Sequence, residues 1–354
     1  MSADGPPERV AVVRALMLGD LLCSVPALRA LRRGLPDAHI TLIGLPWARS
    51  FQQRFSAYLD AFLEFPGYPG LPERPLDHGA WPKFLERAHA GRFDLAIQLH
   101  GSGSFVNEFT ELLRARRYAG FYEPGGYHPA PGLFLPYPVG GHEIERNLRL
   151  VRHLGIPASD TELEFPLTPD DEEDAVRACG GDLPAPYVCL HPGARFLSRQ
   201  WPAERLARVA DHFGSRGFQI VLTGSASEKE LTRRVVRTMS CDALDLAGRT
   251  SLGGLAALLR RASLVITNDT GVSHVATAVD APSVVVVMGS DPDRWAPLDR
   301  QRHRVVMTHV DCRPCGHYHC PIGHPCALGV EASDVIREAD DLLTRISTGT
   351  NAAA

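Results

Sequence analysis

The sequence has 354 residues, more than one ordinary hydrophobic core holds, so two domains of roughly 150–200 residues each are expected. Hydrophobic residues make up 44% of the chain and charged residues 22%, which is typical of a globular protein and excludes a disordered one. The formal net charge of -4 does not suit a nucleic-acid partner, because binding of a phosphate backbone depends on clustered Lys and Arg. The nearest approach to a basic run, Arg114, Arg116 and Arg117, is predicted to lie on the solvent-exposed face of a helix.

The location of the protein is predicted from the absence of a transmembrane segment and of a signal peptide in its sequence. No run of 18 apolar residues occurs, so no transmembrane helix is expected. Residues 1–9 are short and polar, and the apolar stretch that follows is interrupted by Arg14 and Asp20, which does not suit a signal peptide. We therefore expect a cytoplasmic protein. Four scattered cysteines with apolar neighbours fit this expectation as reduced, buried thiols: Cys23, Cys179, Cys189 and Cys241.

The first half of the chain begins with a predicted βαβ unit. Its elements and the next strand are a strand at 10–14, a helix at 21–33, and strands at 39–44 and 94–99. A strand, a helix and a strand within about 35 residues build a parallel sheet. Pro26 is expected in the first turns of the helix, and the Pro- and Gly-rich stretches 65–82 and 120–141 are predicted to be loops.

The second half repeats the alternation after a shift in composition at residues 166–173, where prolines and acidic residues begin a helix. Its predicted elements are strands at 187–191, 218–223, 264–267 and 283–288, and helices at 203–216, 228–239, 252–262 and 332–346. The sequence therefore predicts two Rossmann-like, doubly wound α/β domains, residues 1–168 and 169–354. Ligands in such sheets bind beyond the carboxyl ends of the strands, here in a cleft between the two domains.

Three glycine-bearing turns follow predicted strands of the second half. They are His191-Pro-Gly-Ala194 with Arg199-Gln-Trp-Pro202, Thr223-Gly-Ser225 with Glu228, and Asn268-Asp-Thr-Gly-Val-Ser-His274. The third turn leads into a helix, whose first backbone N–H groups and positive end suit an anion such as a diphosphate. One such turn alone is commonly no more than a turn with a helix cap. Three in one half, each with a polar or charged group, favour a ligand site.

These residues resemble those of the lipopolysaccharide heptosyltransferases and their relatives, glycosyltransferase family nine, which have the two-Rossmann GT-B fold. The resemblance covers nearly the whole chain and includes Leu18-Gly-Asp20 with Pro26-Ala-Leu28. It implies an inverting glycosyltransferase that moves heptose from ADP-heptose to a lipid-linked saccharide of lipopolysaccharide or another cell-surface glycan. The resemblance also implies that transfer requires no metal or other cofactor. We further expect the protein to contact the inner face of the cell membrane loosely.

The resemblance implies a role for each matching residue. Asp20 matches the catalytic aspartate that takes the proton from the acceptor hydroxyl, and its alternative role is that of a helix N-cap. Arg199 stands where the family usually has a lysine that contacts the donor phosphates; arginine keeps the charge and adds a fork that suits phosphate oxygens. Its alternative is a surface arginine beside Trp201. The residues expected to bind the nucleotide-sugar are Arg199, Gly224, Glu228, Asp269, Thr270, Gly271 and His274.

Within this set, Thr270, Gly271 and His274 would hold the diphosphate through backbone N–H groups and an imidazole. Asp269 would bond a sugar hydroxyl or cap the helix. Glu228 would accept the ribose hydroxyls, or would be an ordinary glutamate in the first turn of a helix.

A cysteine-rich segment, residues 312–326, carries four cysteines and three histidines: Cys312, Cys315, His317, His319, Cys320, His324 and Cys326. These are ligand types of a structural zinc site, although the spacing is tighter than in a typical zinc ribbon. Packed thiols and disulfides are the alternatives, and disulfides fit poorly with a reducing compartment. Nothing in the segment implies a part in catalysis, and we assign no metal ligand to the active site.

Three other functions compete with this interpretation. An enzyme that transfers hydride with a dinucleotide is disfavoured, because no G-x-G-x-x-G pattern follows the first strand. A nucleotide-sugar epimerase of GT-B form, or a transferase with another nucleotide-sugar donor, would show the same fold. A binding module without catalysis fits least, because Asp20 is expected opposite an anion site.

Overall fold

The computed structural model describes residues 5–181 and 186–352 of the chain. The chain divides into two compact units, Met1–Glu162 and Leu163–Ala354. Each unit contains one six-stranded sheet. The assignment of the acceptor to the first unit and of the nucleotide-sugar to the second stays a prediction.

The first unit is built on a sheet whose neighbouring strands are all parallel. Its strands are β1 (Arg9–Val13), β2 (His39–Gly44), β3 (Ala61–Glu64), β4 (Leu95–Gln98), β5 (Arg117–Tyr122) and β6 (Gly132–Pro136). Its helices are α1 (Leu18–Leu22), α2 (Val25–Gly34), α3 (Ala48–Arg54), α4 (Trp81–Ala90), α5 (Val106–Glu111) and α6 (Glu143–His153). The strand order is β3-β2-β1-β4-β5-β6. The topological switch point therefore lies between the carboxyl ends of β1 and β4, where doubly wound sheets bind ligands.

The second unit repeats this order, with all neighbouring strands again parallel. Its strands are β7 (Tyr187–His191), β8 (Gln219–Leu222), β9 (Ala243–Asp245), β10 (Leu264–Asn268), β11 (Ser283–Val286) and β12 (His303–Val306). Its helices are α7 (Pro169–Cys179), α8 (Ala203–Ser215), α9 (Lys229–Thr238), α10 (Leu252–Arg261), α11 (Gly271–Ala278), α12 (Pro292–Trp295), α13 (Pro325–Leu328) and α14 (Ala332–Ala352). The order β12-β11-β10-β7-β8-β9 puts its switch point between β7 and β10.

The core of the second unit explains why its central strands are apolar. Every residue of β7, β10 and β11 is buried, so these strands read as continuous apolar runs rather than as alternating ones. The large side chain of Phe213 on α8 packs in the same core cluster as Ile266 and Val286 of the sheet, and α14 contributes Val335 and Leu342. This packed layer gives the turns at the carboxyl ends of the strands a rigid base.

The predicted single helix over residues 21–33 is wrong. The chain forms the short helix α1 and then α2, which begins at Val25 with Pro26 as its second residue. Proline lacks an N–H and clashes with the preceding turn inside a helix, but it is tolerated in the first turn. Pro26 therefore marks the start of a new helix rather than an early position in one long helix.

The predicted loop over residues 120–141 is also wrong, because it contains the end of β5 and all of β6. Strand β6 lies at the edge of the sheet and is largely exposed, so its sequence lacks a buried apolar face. The arginines predicted on a helix lie elsewhere too. Arg117 is the first residue of β5, and Arg114 has a positive φ of 54°, which a helix does not allow.

Candidate functional site

Asn268, the last residue of β10, joins two of the predicted turns of the second unit. Its amide Nδ2 donates hydrogen bonds to the carbonyl oxygens of Pro192 at 2.7 Å and Gly193 at 3.3 Å. Its Oδ1 accepts a hydrogen bond from the backbone N–H of Trp201 at 3.3 Å. The Asn268 side chain is buried, so these bonds are shielded from water. One amide thus brings together the segments that follow β7 and β10 at the switch point.

The turn after Asn268 leads directly into α11. Thr270 is the N-cap of this helix, and its hydroxyl accepts a hydrogen bond from the backbone N–H of Val272 at 3.4 Å. Asp269 is buried and accepts a hydrogen bond from the hydroxyl of Ser290, so the capping role lies with Thr270 and not with Asp269. The positive end of α11, which begins at Gly271, lies at the carboxyl end of β10 and suits an anion.

His274 is the fourth residue of α11 and is buried. Its ring packs edge-on against the indole of Trp295, with 6.3 Å between the ring centroids. Trp295 belongs to the single-turn helix α12. The imidazole is therefore held by packing on the same helix whose N-terminus is the predicted anion site.

Arg199 ends a short 3-10 turn, Leu197–Arg199, two residues before Trp201. Its guanidinium lies over the ring of Phe196, 5.1 Å from the centroid, and Nη2 is 3.5 Å from the carbonyl oxygen of Cys315. Within the described ranges, its buried Nε has no hydrogen-bond partner. The guanidinium is half-buried, and the planar fork of such a group is suited to binding phosphate oxygens.

Glu228 holds the turn that follows β8. Its Oε2 accepts hydrogen bonds from the backbone N–H of Ser225 at 2.7 Å and from the Ser225 hydroxyl at 2.8 Å. Gly224 precedes this turn, and its carbonyl oxygen accepts a hydrogen bond from the N–H of Gly248 at 2.7 Å. One oxygen of the Glu228 carboxylate therefore stabilises the turn.

His191, the last residue of β7, lies beside this turn. Its Nδ1 is 3.1 Å from the hydroxyl oxygen of Thr223. Burial lowers the pKa of His191 and outweighs the opposite effect of the nearby Glu228 charge, so the imidazole is neutral at neutral pH. His191 thus acts as a buried hydrogen-bonding residue between the turns after β7 and β8.

Gly193 approaches the carboxylate of Glu228 closely, and this contact is testable. A Cβ atom at Gly193 would lie 2.0 Å from Oε1 of Glu228. Gly193→Ala should displace the carboxylate from Ser225 and destabilise the protein by about 1 kcal/mol, the usual cost of a lost cap. Chemical denaturation measures this loss, which should shrink when Glu228→Ala is already present. Gly140→Ala is the control, because a Cβ there meets open space; equal losses in both glycine variants would contradict the contact.

Asp20 lies in the first unit, just beyond the carboxyl end of β1. The N-cap of α1 is Met17, so the alternative of an N-cap role for Asp20 is wrong by three residues. The Asp20 carboxylate instead accepts a hydrogen bond through Oδ2 from the backbone N–H of Met17 at 3.2 Å. Its backbone carbonyl accepts from Nε of Arg14 at 2.8 Å, and Arg14 is buried in an ion pair with Glu143 at 3.2 Å. The helix turn that carries Asp20 is therefore rigidly held.

Sequence reasoning missed His100, which follows β4 on the other side of the same switch point. Its Nδ1 accepts a hydrogen bond from the backbone N–H of Ala15 at 3.1 Å, and its Nε2 lies 3.6 Å from a carboxylate oxygen of Glu73. His100 therefore supports the loop that leads to Asp20. The rule that ligands bind at the carboxyl ends of strands could have found it, since it follows the predicted strand 94–99.

The same rule could have found Ser290, the hydrogen-bond donor to Asp269, which follows the predicted strand 283–288. No signal in the sequence pointed to Trp295, since α12 is one turn long and has no apolar period.

The cysteine-rich segment lies in the second unit. Cys312 is exposed and Cys326 is buried, and neither they nor Cys315 and Cys320 form a disulfide. Among residues 5–181 and 186–352, no three His, Cys, Asp or Glu side chains are grouped as metal ligands would be. The absence of a metal ligand from the site stays a prediction.

Comparison with known proteins identifies the family. The model of glycosyltransferase family 9 (heptosyltransferase) matches residues 133–325, which is more than half of the 354 residues. Lipopolysaccharide heptosyltransferase 1 of Pseudomonas aeruginosa is 25% identical over 360 residues, covering 96% of this chain and 94% of that protein.

Two solved structures are similar over almost the full length. The glycosyl transferase family 9 protein of Veillonella parvula has a TM-score of 0.78 at 21% identity and covers 97% of this chain and 100% of its own. The ADP-heptose lps heptosyltransferase II of E. coli has a TM-score of 0.76 at 21% identity, with 96% and 99% covered. These likenesses confirm the predicted GT-B fold. Together with the matched family model, they establish that the chain belongs to glycosyltransferase family 9, the heptosyltransferase family.

Proposed function

We propose that this chain transfers heptose from ADP-heptose, with inversion, to a hydroxyl of a lipopolysaccharide-type saccharide. The observation that carries the donor half of this proposal is the convergence on Asn268. This amide bonds the turns after β7 and β10 to each other, beside the N-terminus of α11. The names of the relatives, which specify heptose, ADP and lipopolysaccharide, support the choice of sugar, nucleotide and acceptor.

The second unit would bind the donor. Arg199 would contact the diphosphate oxygens, and the backbone N–H groups at Thr270 and Gly271 with the imidazole of His274 would stabilise the charge that develops as ADP leaves. The half-buried guanidinium of Arg199, which has only a long contact at 3.5 Å with a backbone carbonyl, and the positive end of α11 support this assignment. We propose that these groups, and not a metal ion or other cofactor, neutralise the leaving diphosphate.

Asp269, Gly224 and Glu228 would bind the sugar and nucleoside parts of the donor. Asp269 is oriented by its hydrogen bond from Ser290, which supports a role in bonding a hydroxyl of the transferred sugar. Glu228 uses Oε2 for the turn, and its other oxygen would accept ribose hydroxyls next to Gly224.

Asp20 would act as the general base. It would take the proton from the acceptor hydroxyl as that oxygen bonds to the anomeric carbon, while the bond from this carbon to the diphosphate breaks. The transition state should resemble an oxocarbenium ion, as in glycoside hydrolysis. The rigid support of Asp20 by Met17 and Arg14 favours this role, since a base must be held in place.

The acceptor would bind to the first unit. In the part of the chain that the structure describes, no helix is sufficiently long and apolar to traverse a bilayer. We propose that the enzyme reaches its lipid-linked acceptor through peripheral contact at the inner face of the membrane, from the cytoplasm, and the lipopolysaccharide named for its relatives supports such an acceptor.

A thermal-shift panel of ADP, UDP, GDP and their sugars tests the donor. A ligand that binds only the folded state raises the melting temperature by mass action, so ADP and ADP-heptose should give the largest shifts, with or without EDTA. Larger shifts with UDP or GDP would contradict the heptose assignment and leave the family unchanged. Conversion of the donor sugar without any acceptor would indicate an epimerase instead.

A further inference from the structure

The cysteine-rich segment, residues 312–326, encloses the residue next to Arg199. Ser198 is 4% exposed, and its backbone N–H donates to the carbonyl of Tyr318 at 3.0 Å. Its hydroxyl donates to the carbonyl of His317, and its own carbonyl lies 2.7 Å from Nε2 of His324. Three polar groups of one buried residue therefore bond to this segment.

The segment is itself anchored to the carboxyl end of β11. Nε of Arg313 donates to the carbonyl of Met288 at 2.6 Å. The N–H of Cys315 donates to the carbonyl of Gly289 at 2.7 Å, and its sulfur packs so close that a Cβ on Gly289 would lie 2.8 Å from it. The next residue, Ser290, donates a hydrogen bond to Asp269. The segment therefore connects the turn that carries Arg199 to the turn that carries Asp269.

Arg199 depends on this segment for its stacking partner as well as for its backbone. The ring of Phe196, over which the guanidinium lies, packs against Tyr318 with 6.0 Å between centroids. The contact of the guanidinium with the carbonyl of Cys315, at 3.5 Å, is longer than an ordinary hydrogen bond. The segment therefore orients the arginine without engaging the guanidinium in a short hydrogen bond.

We propose that the cysteine-rich segment positions Arg199 and thereby sets the affinity of the enzyme for the donor diphosphate. Within the segment, His324 is the principal positioning residue. This inference rests on the proposed function, in which Arg199 binds that diphosphate. It gives the segment a role that requires no metal and no chemistry of its thiols.

His324→Asn tests the inference with little change in backbone. His324 has a φ of 64°, which asparagine tolerates, and it precedes α13 as an N-cap, a position that asparagine also favours. The shorter side chain cannot reach the Ser198 carbonyl, so the KM for the donor should rise roughly three- to tenfold. The kcat should fall as well, because Arg199 is also proposed to neutralise the leaving diphosphate, and the KM for the acceptor should not change. His309→Asn is the control, because His309 is an exposed histidine just before the segment that pairs with the exposed Asp311, and all three constants should stay as in the wild type.

A double-mutant cycle separates positioning from a general loss of stability. In an Arg199→Ala background, His324→Asn should have no further effect on the donor KM, because both changes act through one guanidinium. Independent, multiplying losses would overturn the inference, and so would an unchanged donor KM in His324→Asn alone. If His324→Asn fails to fold, Ser198→Ala takes its place, because it removes only the hydrogen bond to His317. It should raise the donor KM in the wild-type background and have no further effect in the Arg199→Ala background. Normal binding of ADP by Arg199→Ala would instead refute the proposed role of Arg199 itself.

Discussion

Asp20→Asn is expected to fold like the wild-type protein and to lose glycosyl transfer by about two orders of magnitude or more. The amide oxygen of asparagine can still accept the hydrogen bond from the backbone N–H of Met17, so the start of α1 should survive. The amide cannot take a proton from the acceptor hydroxyl. The melting temperature and the initial rate of sugar transfer, measured on the same preparation, check both parts of this expectation.

The second unit offers a matched control for this variant. Asp171 occupies the same third position of a helix, α7, and its Oδ2 accepts a hydrogen bond from the backbone N–H of the N-cap residue Thr168 at 2.9 Å. Asp171→Asn should therefore change stability about as much as Asp20→Asn and leave transfer near the wild-type rate. Near-normal transfer by Asp20→Asn would end the assignment of Asp20 as the base.

Arg199→Ala should weaken the binding of ADP and of ADP-heptose by a factor on the order of 100. The cause is the loss of a partly buried cation that is proposed to contact the diphosphate oxygens and whose guanidinium has only a long contact, at 3.5 Å, with a carbonyl oxygen of the protein. Arg199→Lys keeps the charge without the fork and should recover binding to within about tenfold of the wild type. Isothermal titration with ADP measures the affinity of all three proteins.

Arg216→Ala is the control for the loss of a stacked arginine. The Arg216 guanidinium lies over the ring of Phe213 at 5.9 Å, much as Arg199 lies over Phe196, but it forms an ion pair with Asp340 outside the proposed site. It should leave ADP binding unchanged. Wild-type affinity in Arg199→Ala, or an equal loss in Arg216→Ala, would rule out a phosphate-binding role for Arg199.

Strands that are buried on both faces could be predicted from the sequence closely. The predicted strands at 39–44 and 187–191 coincide with β2 and β7, because continuous apolar residues bounded by polar ones leave few other interpretations. Edge strand β6 was missed because an exposed strand needs no apolar pattern. The break between α1 and α2 depends on Pro26, whose effect differs between the first turn and the interior of a helix.

The candidate site could be predicted as a set of turns but not as a set of contacts. Asn268 stood inside a recognised motif, yet its bonds to Pro192 and Trp201 join residues far apart in the chain. The support of Arg199 by residues 317–324 is similarly non-local. Sequence spacing carries no information about such pairings, whereas strand order determines which turns share an edge.

The amide of Asn268 also has a consequence for the chemical ageing of the protein. Deamidation would replace Nδ2, a donor to two carbonyl oxygens, with an oxygen that faces the same two acceptors. That reaction requires attack by the backbone nitrogen of Asp269, whose N–H donates to the carbonyl of Val286 at 3.1 Å. The strand pairing that places the amide therefore also holds the attacking nitrogen, and Asn268 should stay intact in stored protein for as long as the protein remains folded.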